Sequence, residues 1–380
     1  LIGAKNLDGI AGKLNLDLKL GVPFEKIYDH RFYLGHARMD FKNILLSGIP
    51  VSDFQADAQM QEGEIVLSDL KARLGGQGQT SKTKTTPGEI MAAGRIDLQD
   101  NGILHLRSQA SSIPLSIISP WIPGLLNQTG TLSFGLDAKT KVSTMLDPSG
   151  WKAGALFRMD NVSLGELFFQ GTEGKLDLFQ GRLQASEVVS SCQLGKITGQ
   201  ATFHLNQSIP FKFNMSAKSL DASKGYLLLG KEKFFFDLNG TGELDASASG
   251  TLFPFDWNSS GKLNFEKLVL GRFLLEKNHL QWQIDPNKIV LTDAGGNSMG
   301  GKWSAEADIP RASLNSGKIK FEIQDIDAGL LVRTASEKEL PIKGKLGGVI
   351  QASFSPQDKT GEREIFFNAD LNSSGYEILG

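Results

Sequence analysis

Cysteine is nearly absent from this chain of 380 residues, since Cys192 is the only one. An intrachain disulfide framework, the usual support of small secreted domains, is therefore excluded. An excess of charge of one sign is also missing, because 40 basic and 42 acidic residues leave a net charge of −2. Nucleic acid is not an expected partner, since its binding depends on a basic surface. No apolar run approaches the roughly 20 residues that a membrane-spanning helix needs.

Tyrosine is scarce as well, with 4 residues against 23 phenylalanines. A buried tyrosine needs a hydrogen-bond partner for its hydroxyl, whereas phenylalanine needs only apolar surroundings. The excess of phenylalanine fits either an ordinary core or a surface that contacts apolar material. Glycine is abundant, at 43 residues, which is well above the usual share of about 7%.

Apolar and polar residues alternate along many short segments. Leu14–Leu20, Phe211–Met215 and Ile319–Ile323 alternate without a break. Successive side chains on a strand point to opposite faces, so each of these strands has one apolar and one polar face. Such alternation is typical of antiparallel sheets and not of buried parallel ones. With turn residues recurring about every ten positions, the sequence predicts an all-β fold.

A longer repeat is superimposed on this alternation. Three short leucine-rich segments interrupt the strand pattern, and each is predicted to contain a brief helix. The segments are Ser111–Leu126, Asp221–Gly230 and Asp327–Leu340. Each precedes a Gly-x-Leu strand start, at Gly130, Gly242 and Gly344. These glycines are 112 and 102 residues apart, so a unit of roughly 105 residues recurs about three times, as in stacked repeat proteins.

The repeat also predicts how the chain is divided. Residues 1–48 are expected to end a preceding repeat, and residues 356–380 to begin the next strands. The sequence is therefore interpreted as an internal piece of a longer protein. Three complete repeats are expected between these segments, at residues 49–145, 146–255 and 256–355.

No segment has the pattern of an active site or a metal site. Gly296–Gly300 matches Gly-x-Ser-x-Gly, but a nucleophile elbow requires a following helix and a later histidine. The residues after it alternate as in a strand, and the last histidine, His279, precedes it. The five histidines lack the spacing of metal ligands. The chain is therefore predicted not to be an enzyme, and no cofactor or metal is expected.

The repeated unit consists of an amphipathic strand, a Gly-Gly hairpin, a second strand, a leucine-rich segment and the Gly-x-Leu start. It resembles the AsmA-like superfamily of bacterial envelope proteins. Val66–Gly76 carries the resemblance, as does Ile326–Leu331 together with Gly344–Leu346. The middle repeat departs from the pattern, because Ser190–Cys192 replaces the Gly-Gly pair.

This resemblance implies an elongated, curled antiparallel sheet that forms a U-shaped groove. It implies that phospholipid, or another acyl-chain lipid, moves along the groove between the inner and outer membranes during outer-membrane biogenesis. It further implies a periplasmic location and an inner-membrane anchor outside this sequence. Both membranes would be contacted through parts outside the sequence, and outer-membrane assembly proteins are expected as further partners.

The residues alone leave two architectures open. An apolar sheet face has to be covered, either by a second sheet or by an apolar ligand inside a curled sheet. Burial is worth about 25 cal/mol per Å² in both cases, so the pattern does not choose between them. The first architecture would suit a structural or adhesive surface protein of stacked β-sandwiches without lipid cargo. A carbohydrate-active β-helix, a third hypothesis, would need a much shorter repeat. In the lipid-binding hypothesis, the predicted lining residues are Leu14, Leu16, Leu18, Phe134, Phe211, Phe213, Trp282, Phe321 and Ile323.

Overall fold

The structure is a computed structural model that describes residues 13–46, 49–75, 87–98, 102–118, 129–164, 166–229, 237–311, 316–336, 342–354 and 365–378. Strands make up 76% of these residues. They belong to one antiparallel sheet of 20 strands that is not closed. The all-β prediction is therefore confirmed.

The strands follow one another along the chain, with connections of 2 to 16 residues. The first ten are β1 (Lys13–Gly21), β2 (Leu34–Leu46), β3 (Ile49–Gln61), β4 (Glu64–Leu74), β5 (Gly88–Asp97), β6 (Ile103–Pro114), β7 (Thr131–Lys141), β8 (Lys152–Leu164), β9 (Leu167–Phe179) and β10 (Arg182–Cys192). The second ten are β11 (Gly195–His204), β12 (Pro210–Asp221), β13 (Leu238–Thr251), β14 (Asp256–Leu270), β15 (Phe273–Ile284), β16 (Lys288–Ser298), β17 (Gly301–Pro310), β18 (Gly317–Asp327), β19 (Ile342–Phe354) and β20 (Ile365–Ile378).

The chain forms two compact units. The first unit comprises Leu1–Ser190 with Thr202–Asn206, and the second comprises Ser191–Ala201 with Gln207–Gly380. In the first unit, each strand from β1 to β9 pairs with its neighbours in sequence. The same holds for β12 to β20 in the second. The described residues of neither unit supply a second sheet, so they do not form the stacked sandwich that the sequence left open.

A helical segment follows every sixth strand. Helix α1 (Leu115–Ile118) lies after β6, a 3₁₀ helix (Ala222–Leu229) after β12, and helix α2 (Ala328–Ser336) after β18. All three fall within the segments where the sequence predicts a brief helix. None of the described helices is both long and apolar enough to cross a membrane.

The predicted starts precede the observed ones, by four residues at α1 and by one residue at the other two helical segments. The first prediction begins at Ser111, but β6 continues to Pro114, and α1 begins only after that proline. At α2, the Asp327 carboxylate accepts a hydrogen bond from the backbone N–H of Leu330 at 2.7 Å. An aspartate in this position caps the first turn and so precedes the helix.

The tightest packing of the first unit lies beside α1. Ile113 is 2% exposed and packs in a buried cluster whose other members are Val51, Leu74, Ala110 and Ile117. Phe41 of β2 and Phe134 of β7 both pack against this cluster. These two strands are five positions apart, a distance of about 24 Å in a flat sheet. The sheet of the first unit therefore curls toward the face that carries these residues.

Candidate functional site: the apolar face of each unit

The register of the first unit aligns apolar residues into rows that cross the strands. Residues directly opposite each other in an antiparallel pair point to the same face. The first row is Leu18, Ala37, Ala58, Leu67, Gly94, Leu106, Ala138, Ala153 and Leu178. The second is Leu16, Met39, Ala56, Leu70, Ala92, Ser108, Leu136, Ala155 and Leu176. Ser108 is the one polar residue in these two rows. We call this side of the sheet the apolar face of the first unit.

The second unit repeats this arrangement across β12 to β20. Its first row is Met215, Ala246, Gly261, Trp282, Leu291, Ala307, Ile319, Ala352 and Phe367. Its second row is Ala217, Leu244, Leu263, Leu280, Ala294, Ala305, Phe321, Ile350 and Ala369. Every member of both rows is glycine or an apolar residue. They define the apolar face of the second unit.

Large side chains of both faces are buried to very different degrees. Deep burial is concentrated at the end of the strands where the helical segments lie, for example at Ile113 beside α1 and Ile326 beside α2. Away from that end the large side chains of the rows remain partly exposed. Leu18 is 63% exposed and Phe367 is 67% exposed, and both belong to terminal strands of their rows. The helical segments therefore cover one end of each apolar face.

Glycines on the apolar faces make room for aromatic rings. Gly261 lies directly opposite Trp282, and a Cβ added to Gly261 would collide with the Trp282 indole. A Cβ added to Gly174 would lie 3.0 Å from the ring of Phe157, which is its cross-strand partner. Small and large residues therefore interlock between neighbouring strands. The sequence shows the abundance of glycine, but the cross-strand register is needed to assign these partners.

A buried amide side chain interrupts the apolar face of the second unit. Asn278 is 5% exposed, and neither of its amide atoms has a hydrogen-bond partner among the described residues. The Nε1 of Trp303 is likewise buried without a partner there. A Cβ on Gly296 would be 2.5 Å from the Asn278 Oδ1 and 3.0 Å from the Trp303 Nε1, so both groups approach this glycine. Unpaired polar groups of this kind cost about 1–3 kcal/mol each.

The Gly-x-Ser-x-Gly segment is part of a β-hairpin. Ser298 ends β16, is buried, and donates its hydroxyl hydrogen bond to the carbonyl of Leu274 at 3.2 Å. Met299 and Gly300 have φ angles of 46° and 75° and form the turn into β17. No helix follows the serine. The segment is therefore a strand–turn–strand element, as the sequence pattern predicts.

The opposite faces of the sheet are polar, and three histidines pair with aspartates there. His36 lies 3.0 Å from Asp57, His105 lies 3.0 Å from Asp137, and His279 lies 3.1 Å from Asp293. Hydrogen bonds from Arg107 and then from His105 hold the pKa of Asp137 below its usual value. The described residues contain no cluster of histidine, cysteine or carboxylate side chains that could hold a metal ion.

Depressions on the polar face of the first unit are lined by charged residues. One of about 670 Å³ spans β5 to β10 and is lined by Arg158, Glu173 and Lys175 among others. The Lys175 Nζ lies 2.6 Å from the Glu187 carboxylate, so charges along this depression already neutralise each other. Exposed ion pairs contribute little to stability or binding. The apolar face is therefore the stronger candidate for a functional site.

The structure places eight of the nine predicted lining residues on the apolar face of their unit. Four are members of the rows above, and Phe134 is opposite Ala110 and Phe157 on the same face. Phe211 is opposite Gly250, Phe213 is opposite Ala248, and Ile323 is opposite Trp303. Leu14 pairs with Phe41, but its side chain is outside the described residues. A ligand contact at these positions stays a prediction.

The chain matches no protein-family model, no curated protein and no solved structure. Its function has to be inferred from the geometry of its own residues.

Proposed function

We propose that the apolar faces bind acyl chains of phospholipid, and that the protein carries phospholipid between the inner and outer membranes of a bacterial envelope from a location in the periplasm. The observation that carries the proposal is the set of partly exposed apolar rows, nine strands wide in each unit. No second sheet among the described residues of either unit covers them. An apolar face of this kind requires an apolar occupant.

The size of each face supports an extended ligand. Nine strands span about 38 Å at the usual strand spacing of about 4.8 Å. The largest exposed apolar patch of an ordinary soluble monomer is a few hundred Å² and often marks a binding site. Each methylene that leaves water for an apolar contact contributes about 0.8 kcal/mol. Acyl chains can therefore gain binding energy all along the rows without specific polar contacts.

The division of the sheet into two faces also favours this function. On the apolar face of the first unit, Leu67 lies opposite Ala58 and Gly94. On the polar face, the adjacent Val66 lies opposite Gln59 and Arg95. A sheet with this asymmetry can hold acyl chains on one side while its other side remains in water. Movement between membranes and the periplasmic location follow from the resemblance to AsmA-like proteins.

The test compares two glutamate substitutions at adjacent positions. Leu67→Glu places a charge on the apolar face, whereas Val66→Glu places the same charge on the polar face beside Arg95. Binding of a fluorescent phospholipid to the full chain is measured for both variants. Leu67→Glu is expected to weaken binding about tenfold or more, because a buried charge opposes acyl-chain contact. Val66→Glu is expected to bind within about twofold of the original chain.

Mass spectrometry of lipids extracted from the purified chain completes the test. Co-purifying phospholipid is the expected result. The proposal is wrong if the original chain neither carries phospholipid nor binds the fluorescent probe. Equal loss of probe binding in Leu67→Glu and Val66→Glu, with both variants folded by circular dichroism, would contradict the assignment to the apolar face.

A further inference from the structure

Two hairpin connections of the first unit have the same construction. The β1–β2 connection contains the 3₁₀ turns Phe24–Lys26 and His30–Phe32, and we call residues 22–33 the first tip. The β7–β8 connection contains the 3₁₀ turns Val142–Thr144 and Pro148–Gly150, and we call residues 142–151 the second tip. Each joins an odd-numbered strand to the next one in a series of consecutive antiparallel pairs. Both tips therefore lie at the same end of the strands.

The second 3₁₀ turn of each tip has an aspartate cap. Asp29 accepts a hydrogen bond from the backbone N–H of Arg31 at 3.1 Å, and Asp147 accepts one from Ser149 at 2.8 Å. The two aspartates are 118 residues apart, and so are the donor residues Arg31 and Ser149. The caps are thus equivalent positions of a repeated element.

An aromatic side chain closes each tip at the same spacing. Tyr33 donates its hydroxyl hydrogen bond to the carbonyl of Ile27. Trp151, which is 118 residues later, donates its indole N–H to the carbonyl of Met145 at 2.9 Å. These bonds fix the backbone at the position where each tip projects. A preorganised loop loses little conformational entropy when it binds a partner.

Each tip presents two large apolar side chains to solvent at this fixed point. In the first tip they are Ile27, which is 48% exposed, and the fully exposed Tyr28. In the second tip they are Met145 and Leu146, at 46% and 71% exposed. Single exposed apolar residues are common and need no explanation. A pair held at equivalent positions of two internally bonded loops indicates a contact surface.

The base of the second tip is basic. Lys139 and Lys152 are directly opposite each other on β7 and β8, and Lys141 follows on the same face as Lys139. All three are exposed, and no ion pair links them to a carboxylate among the described residues. Like charges directly opposite each other on neighbouring strands are destabilising. An anionic partner at this position would remove that cost.

Further exposed apolar residues lie among these lysines. Ile103 is opposite Lys141, and Phe179 is opposite Lys152. Both are more than half exposed. Apolar side chains at a projecting tip, with lysines around its base, match the two chemical layers of a bilayer surface, acyl chains below and anionic phosphates above.

We propose that the second tip docks the first unit onto an anionic bilayer surface. Met145 and Leu146 enter the interfacial region, and the lysines at the base contact lipid phosphates. The first tip adds an apolar contact without the same charge, because Arg31 is bonded to Asp29 and Lys26 lies over the ring of Phe32. This surface is separate from the apolar face, so the inference does not depend on the proposed function.

Sedimentation with lipid vesicles tests the proposal. The full chain is mixed with vesicles of phosphatidylcholine alone, and with vesicles that also contain phosphatidylglycerol. Stronger binding to the second kind is expected. Met145→Ser with Leu146→Ser is expected to lower binding about tenfold or more through lost apolar contact. Lys139→Gln with Lys152→Gln is expected to lower binding roughly tenfold, and only for the anionic vesicles.

The first unit offers a matched control for the apolar substitutions. Met91 and Leu156 are 43% and 62% exposed on the polar face, in the middle of β5 and β8. Met91→Ser with Leu156→Ser removes the same two residue types away from the tips, and it should leave vesicle binding unchanged. Failure of the original chain to bind either vesicle overturns the proposal. Equal binding by the tip variant and this control also overturns it, and would assign the tips to another partner such as a protein.

The two proposals can fail separately. The tip variant is expected to bind the fluorescent phospholipid as the original chain does, because its apolar face is intact. Leu67→Glu is expected to retain vesicle binding, because its tips are intact. Loss of both activities in either variant would mean that one surface performs both, which contradicts the separation proposed here.

Discussion

The apolar face of the first unit has a covered end and an open span, built from the same residue types. At the covered end, Ile113 and Ile117 pack with residues of several strands and are almost completely buried. In the open span, Leu67 and Leu106 lie on the same face and are only partly buried. What differs is the helical segment beside them. The comparison shows that hydrophobic residues on one sheet face can serve two purposes, a core where a helix covers them and a binding surface where none does.

The largest expected effect concerns stability at the covered end. Ile113→Ala should lower the free energy of unfolding of the first unit by about 3 kcal/mol, because it leaves a cavity in a fully packed cluster. Leu67→Ala in the open span should cost about 1 kcal/mol or less, since the residue is already partly exposed. Urea unfolding of both variants measures the difference. Equal losses would mean that the two regions do not differ in packing.

An intermediate effect is expected where glycine accommodates a ring on the apolar face of the second unit. Gly261→Ala should cost about 2 kcal/mol, because the new Cβ displaces the indole of Trp282. Gly135→Ala is the control, since a Cβ there meets no atom within 4 Å. It should be neutral or slightly stabilising, because glycine is a poor strand residue. Thermal unfolding and the near-ultraviolet circular dichroism of tryptophan report both effects. An unchanged spectrum in Gly261→Ala would show that the Trp282 indole is loosely packed against Gly261.

The smallest expected effect is a response to acid in the tips that does not extend to the covered end. The Arg31 side chain lowers the pKa of Asp29 to about 2, and the Ser149 hydroxyl lowers the pKa of Asp147. A lowered pKa means that each cap stabilises its tip above the ordinary aspartate pKa of about 4 and loses this contribution as pH falls through the folded-state value. Between pH 4 and about 2, the Arg31 amide signal in nuclear magnetic resonance should shift, and the Ser149 amide signal should shift below the ordinary aspartate pKa of about 4. The methyl signals of Ile113 should not. A shift of Ile113 over the same range would contradict the independence of the two regions.

The sequence predicts which face of the sheet a side chain points to better than it predicts which residue lies opposite it on the neighbouring strand. Period-two alternation assigns Phe134 and Trp282 to the apolar side because side-chain direction is a local property of a strand. Leucine-rich segments likewise predict the helical interruptions. The pairing of Gly261 with Trp282 depends on the register of β14 against β15, which the alternation within a single strand does not specify.

The sequence does not predict the two tips, for a related reason. The two tips have little sequence in common, and the capping aspartate is the main residue that residues 22–33 and 142–151 share. Tyr33 and Trp151 are different aromatic residues that make the same bond to a carbonyl six residues earlier. The shared feature is a hydrogen bond from an aromatic side chain, and several residue types can supply it. A constant offset of 118 residues between capping aspartates is the signal that could have revealed them.

The pairing of each described strand with its neighbours in sequence bears on how the first unit is made. The β2–β3, β3–β4, β5–β6 and β8–β9 connections contain five residues or fewer, so little chain entropy is lost before the next strand gains its hydrogen bonds. Proteins dominated by such local contacts fold fast. Strand β2 can pair with β1 before β9 has been synthesised. The unit can therefore assemble in the order in which its residues are delivered, one strand at a time.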